Sequence, residues 1–117
     1  MIHHVSLDVQ RDRGEVTVAF WELLGFSRVD PPASIGDRAA FVENGSTQIH
    51  LVWVDVEPAP SRGHVAVVVA TYEATVDALR AAGHEVEPRA QHWGSPRAYV
   101  CDPAGNLVEI MAYAPPA

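Results

Sequence analysis

Four side chains able to ligate a metal ion, His4, His50, His64 and Glu109, stand at matching places in two halves of a 117-residue chain. His4 opens His4-Val5-Ser6-Leu7-Asp8-Val9, and His64, 60 residues later, opens His64-Val65-Ala66-Val67-Val68-Val69. His50 in Gln48-Ile49-His50-Leu51 and Glu109 in Leu107-Val108-Glu109-Ile110 are 59 residues apart. Each is the polar, ligand-type residue of an apolar strand. Imidazoles with one carboxylate suit Fe(II), Mn(II), Ni(II), Co(II) or Zn(II), and such a set leaves coordination positions open for a substrate. Geometry rather than affinity chooses among these ions. A single His on a strand face is more often a surface or hydrogen-bonded residue; repetition in register is what singles these out. A carboxylate between Val108 and Ile110 also needs a partner if it is buried. His3, His84 and His92 have no counterpart in the other half and fall outside the metal set. His3 is expected on the strand face opposite His4, His84 follows a helix cap, and His92 lies in a polar loop.

The elements that must position these residues also occur twice. Residues 2–9 alternate as a half-buried strand. From Asp12, a helix is predicted with Val16, Phe20, Leu23 and Leu24 as its apolar stripe and Gly25 as its C-terminal cap. Phe26–Asp30 reads as a short strand. Arg38–Glu43 and Thr47–Val54 read as a hairpin about Asn44-Gly45, a pair that supplies the positive φ of a tight turn. After the Pro-rich stretch 57–63 the order repeats. Val65, Val67 and Val69 mark a strand; Thr71 is an expected N-cap; Tyr72, Val76 and Leu79 form a helix stripe ended by Gly83. Glu85–Glu87 is a short strand, and Arg97–Cys101 with Asn106–Tyr113 makes a last hairpin around Asp102-Pro103-Ala104-Gly105. The expected fold is α+β: one domain over 1–117, built as two tandem βαβββ modules of about 1–56 and 64–117 with cupped mixed sheets.

In such sheets His4 shares a face with Ser6 and Asp8, and Glu109 with Leu107 and Met111, opposite the core. Two facing cups would bring the four residues together. Trp53 alternates to the core side with Ile49 and Leu51. Cys101 reads as a small core residue, and a lone cysteine forms no intramolecular disulfide.

Composition narrows the functional classes. The net charge of −7 and the absence of Lys argue against nucleic acid, whose phosphates are met by Lys and Arg. Without Lys there is no Schiff base and no P-loop. No apolar run reaches the roughly 18 residues of a membrane helix and no secretory leader is visible, so no membrane partner and a cytoplasmic location are expected.

The opening His4–Val9, Phe20-Trp21-Glu22-Leu23-Leu24-Gly25-Phe26 and the closing Asp102-Pro103-Ala104-Gly105-Asn106-Leu107-Val108-Glu109 resemble the vicinal oxygen chelate superfamily over nearly the whole chain. That superfamily includes glyoxalase I, extradiol dioxygenases and the metal-free bleomycin-resistance proteins. The resemblance implies paired βαβββ modules and a homodimer in which a module from each subunit completes the site. It also implies one divalent ion per site, held by His4, His64 and Glu109, that chelates a small molecule through vicinal oxygens. His50 stands where glyoxalases and epimerases carry Glu or Gln, and reads as a fourth ligand or a base. His50 and Glu109 are the expected catalytic residues.

Arg38, Trp93, Arg97 and Tyr99 are the candidate substrate contacts. The arginines suit an anion, or are solvated strand-edge residues; Trp93 offers a flat apolar wall, or packs on a dimer partner. A metal-dependent lyase, isomerase or dioxygenase is the first functional reading. The alternatives are a metal-free binding protein, for which the acidic charge would suit a cationic ligand, and a structural descendant that binds nothing tightly.

Overall fold

Side-chain alternation gives each half of the chain a core face and an open face. The computed structural model describes residues 1–116. Its elements are β1 (His4–Gln10), α1 (Gly14–Leu23), β2 (Ser27–Val29), β3 (Ala39–Asn44), β4 (Thr47–Val54), β5 (Val65–Val68), α2 (Tyr72–Ala81), β6 (Glu87–Pro88), β7 (Arg97–Cys101) and β8 (Leu107–Met111). They form two four-stranded mixed sheets, β1-β4-β3-β2 and β5-β8-β7-β6. The pairs β1/β4 and β5/β8 are parallel and the rest antiparallel. Each half is βαβββ and the fold is α+β.

The repeat extends to the rows across the sheets. His50 lies between Ser6 and Phe41; Glu109 lies between Ala66 and Tyr99. Val9, Ile49 and Leu51 point into the core with Val108 and Ile110, while His4, Ser6 and Asp8 are exposed. One core serves both halves, running from Phe20 and Trp21 through Leu79 to Ile110. The helices touch each other, and Phe20 meets His84 edge to face at 5.1 Å. Among the described residues no helix is long and apolar enough to cross a membrane.

Several boundaries and faces differ from the sequence expectation. Val16 and Leu23 are 52% and 37% exposed, while Thr17, Val18, Phe20 and Trp21 are buried. The phase of α1 is set at its first residue. Gly14 lies against Trp53 so closely that a Cβ there would stand 2.8 Å from the indole. That contact turns positions 14, 17, 18 and 21 inward. Thr17 tolerates burial because its hydroxyl donates to the Arg13 carbonyl at 2.7 Å. A 3-10 turn, Arg11–Arg13, precedes the helix.

In the first hairpin only Gly45 takes a positive φ, +59°, while Asn44 remains in β3 opposite Thr47. Thr71 occupies the N-cap of α2 but makes no side-chain cap bond. β6 lies at Glu87–Pro88, later than expected; a proline is accommodated because this is an edge strand. Cys101 is exposed rather than part of the core. It shares the parity of Arg97 and Tyr99, whereas Ala98 and Val100 point inward.

The turn after β7 ties the halves together. Asp102 is buried and accepts hydrogen bonds from the backbone N–H of Ala104 (3.0 Å) and Asn106 (2.9 Å) and from Asn106 Nδ2 (3.1 Å). The same Nδ2 donates to the Asp8 carbonyl on β1 at 3.1 Å. Burial pushes the Asp102 carboxyl pKa up, against the pull of Asn106, Ala104 and the nearby Trp21 indole. Trp21 Nε1 lacks a partner of good hydrogen-bond geometry, so its effect on Asp102 is one of proximity. Asp102→Ala would orphan the buried N–H groups and is expected to cost about 3 kcal/mol, or roughly 10 °C in Tm. Thermal unfolding within about 2 °C of the wild type would show that the turn is no such tie.

Candidate metal centre

Parallel pairing of β1 with β4 brings the first two candidate ligands together. The His4 and His50 rings stack at 3.9 Å between centroids, 17° from parallel. Phe41 covers a ring face of His50 at 3.5 Å and 2°. His50 Nε2 lies 2.7 Å from Gln48 Oε1, and Gln48 Nε2 donates to Glu43 Oε2 at 3.3 Å. Burial, and then the charges of His4 and His3, push the His50 pKa down. His3 does not face away from the site as the strand reading implied. It precedes β1, so alternation does not govern it, and its Nδ1 lies 3.0 Å from His4 Nδ1.

The second pair comes from β8 and the residue just before β5. His64 Nε2 is 3.0 Å from Glu109 Oε1, and His64 Nδ1 is 3.0 Å from the Arg62 carbonyl. A carbonyl only accepts, so Nδ1 carries the proton. In the neutral ring Nε2 then turns a lone pair toward a carboxylate, an arrangement that requires a second proton or a cation between them. The other oxygen, Oε2, accepts from Arg97 Nη1 at 3.3 Å, with both side chains about 10% exposed. Arg97 also donates to the Ala90 carbonyl (2.6 Å) and to His92 Nε2 (3.1 Å), drawing the 90–96 loop onto Glu109. Tyr99 lies 5.3 Å from the His64 ring, with the Arg89 guanidinium 4.9 Å from its own centroid.

The four candidate ligands therefore form two pairs, His4/His50 and His64/Glu109. Among the described residues no three His, Cys, Asp or Glu side chains are gathered closely enough to hold an ion. Of the candidate substrate contacts, Arg97 and Tyr99 flank the second pair. Arg38 is turned into its own loop, donating to the carbonyls of Ser34 (2.6 Å) and Ile35 (3.2 Å). Trp93 donates to the Tyr113 carbonyl at 3.0 Å. His3, Phe41, Glu43, Gln48 and His92 are neighbours that the sequence reading did not assign to the site. Strand parity could have found three of them, since Phe41, Glu43 and Gln48 share the open face with His50.

The spacing of the second pair is that of two adjacent ligands of one ion, as it is of an ordinary ion pair. Adjacent ligands at right angles, with bonds of about 2.1 Å, lie about 3.0 Å apart, which is the His64–Glu109 separation. Arg97 engages Oε2 and leaves Oε1 for a monodentate bond. The His64 Nδ1 contact with a carbonyl is of the same kind as the bonds that orient metal-binding imidazoles. A cleft of about 840 Å³ also opens between β1 and β5, lined by Val5, Leu7, Ile49, Val65 and Val67 and reaching His64. Most of these side chains belong to the core faces of the strands, so the cleft is not where the two pairs present their donors.

Residues 4–111 match the model of the glyoxalase-like domain. The chain belongs to that family, and with it to the vicinal oxygen chelate superfamily. Its fold is similar to that of a Bacillus anthracis protein assigned to the glyoxalase family, at 26% identity and TM-score 0.84, covering 95% of this chain and 93% of that one. It is also similar to lactoylglutathione lyase from Agrobacterium tumefaciens, at 20% identity and TM-score 0.70, over 95% and 92% of the two chains. A third similar structure is the fosfomycin resistance protein FosX from Listeria monocytogenes, complexed with Mn(II) and 1S,2S-dihydroxypropylphosphonic acid. It shares 18% identity and a TM-score of 0.77, over 97% and 90% of the chains. Among curated protein sequences, none matches this chain.

Proposed function

We propose that this protein is a homodimeric, divalent-metal-dependent enzyme acting on a small molecule that chelates the ion through vicinal oxygens, as a lyase, isomerase or dioxygenase. His4 and His50 of one subunit would face His64 and Glu109 of the other, one ion per site. The observation that carries this reading is the His64–Glu109 geometry, in which an imidazole nitrogen, its ring oriented by the Arg62 carbonyl, stands 3.0 Å from a carboxylate oxygen. FosX, which shares this fold, is complexed with Mn(II) and a substituted phosphonic acid that bears two neighbouring hydroxyls.

When bound, a divalent ion would polarise the substrate oxygens and stabilise the oxyanion that forms on them. His4, His64 and Glu109 would hold it. Arg97, donating to Oε2, keeps the Glu109 side chain aimed, and Tyr99 forms an aromatic wall beside His64. His50, whose depressed pKa favours the neutral ring, serves as a further ligand or accepts a proton from the substrate. Arg97 and Tyr99 are better placed than Arg38 and Trp93 to touch a bound molecule.

The second reading is a metal-free protein that sequesters a small molecule. What favours it is that His64, Glu109 and Arg97 already satisfy one another as an ion network. Anaerobic purification followed by separate loading with Fe(II), Mn(II), Ni(II), Co(II) and Zn(II) decides between them. About one tightly held ion per subunit is expected. Uptake no greater than that of a Glu109→Ala control would sink the enzyme reading in favour of sequestration.

A further inference from the structure

We propose that Gln48, held by Glu43, is a positioning residue that keeps the proton of His50 on Nε2 and so makes Nδ1 the nitrogen His50 presents to the ion or substrate. The role of Nδ1 rests on the metal-site reading above. The placement of the proton rests on the protein's own geometry.

The proton bookkeeping starts at Glu43. Its carboxylate only accepts, and Gln48 meets it at 3.3 Å. The amide must therefore turn its NH2 to Glu43, because the flipped amide would set two acceptor oxygens against each other. That leaves Oε1 toward His50, 2.7 Å from Nε2. An amide oxygen has nothing to donate, so Nε2 must carry the hydrogen. In the neutral ring the lone pair is then on Nδ1, which makes no hydrogen bond among the described residues.

Ring orientation follows from the same contact. Phe41 and His4 stack on His50 and fix its plane. They do not distinguish the ring from its 180° flip, which would exchange Nε2 with a carbon. The bond to Gln48 does distinguish them. His64 is oriented the opposite way, with Nδ1 on a carbonyl and Nε2 as the working atom.

The pseudo-symmetry supplies an internal control. Glu43 pairs with Gln48 across β3 and β4, and the equivalent row of the second half is Cys101 paired with Leu107. The polar pair occurs only in the half whose last strand carries an imidazole, His50 on β4, and not beside Glu109 on β8. Glu109, at the matching place, has no tautomer to set.

The test uses the full-length, metal-free, 15N-labelled protein at about pH 8, with His50 resonances identified by their loss in His50→Asn. Imidazole nitrogen correlations should show His50 protonated at Nε2, its proton close in space to the Gln48 NH2 group. Gln48→Leu should release the ring, abolish that contact and weaken Co(II) binding about tenfold, the usual effect of losing an outer-shell partner. The exchanged pair Glu43→Gln with Gln48→Glu restores donor and acceptor in reversed positions. It should recover both the Nε2 proton and the Co(II) affinity. A wild-type ring protonated at Nδ1 would overturn the proposal, as would a Gln48→Leu protein with unchanged spectrum and unchanged Co(II) binding. Absence of Co(II) binding with the Nε2 pattern intact and dependent on Gln48 would sink the metal reading and leave the positioning role standing.

Discussion

Glu109→Gln should lower divalent-ion affinity by at least about 100-fold, above the range seen when only outer-shell partners are lost. The substitution keeps the size of the side chain and an oxygen for Arg97, so packing changes little. What it removes is the negative charge, and with it the carboxylate oxygen 3.0 Å from His64 Nε2. A neutral amide oxygen attracts a divalent ion less strongly than a carboxylate does. Equilibrium dialysis against Co(II) and Mn(II), with Tm recorded alongside, separates lost binding from lost folding. Affinity within threefold of the wild type in a folded variant would mean that Glu109 serves Arg97 and His64 as an ion-pair partner only.

Mixing two inactive variants should regenerate sites. His4→Ala damages one pair and Glu109→Ala the other, so neither homodimer retains an intact set. If sites are shared between subunits, equal mixing after dissociation gives about half heterodimers, each with one undamaged site of two. About a quarter of the wild-type metal capacity should therefore return, and activity with it once a substrate is known. The basis is the absence, among the described residues of one chain, of any three ligand-type side chains close enough to share an ion. No recovery from two folded variants that demonstrably exchange subunits would place each site within a single chain.

How much of this could be read beforehand is clearest residue by residue. The duplication and the faces of β1 and β8 were legible, because strand parity and register are carried by local sequence. The rotation of α1 was not, since it depends on Gly14 meeting Trp53, a contact between residues distant in sequence. The apolar neighbours of Cys101 suggest an inward side chain, although its parity with Arg97 and Tyr99 points outward. Arg97 was visible as a cation near the site, but its engagement with Glu109, Ala90 and His92 depends on a loop whose path the sequence does not specify. The separation of the ligands into two pairs was illegible in principle. Periodicity tells which face a residue takes, not where two faces lie relative to each other.

The parallel junctions β1/β4 and β5/β8 also bear on how the chain reaches this state. Each antiparallel hairpin closes over a short loop, whereas His4 must find Gln48 and Val65 must find Val108 across the intervening helix and strands. Such non-local pairings are the slow part of folding, because loop closure is unfavourable until contacts reward it. The residues proposed to hold the ion lie at those late junctions, so an ion has nothing to grip in the unfolded chain. Refolding rates should be the same with and without Co(II), while unfolding slows when it is present. Stopped-flow chevrons would show a Co(II)-dependent refolding limb if the ion instead acted as a nucleus. On this account the metal acts as a brake on unfolding and takes no part in assembly.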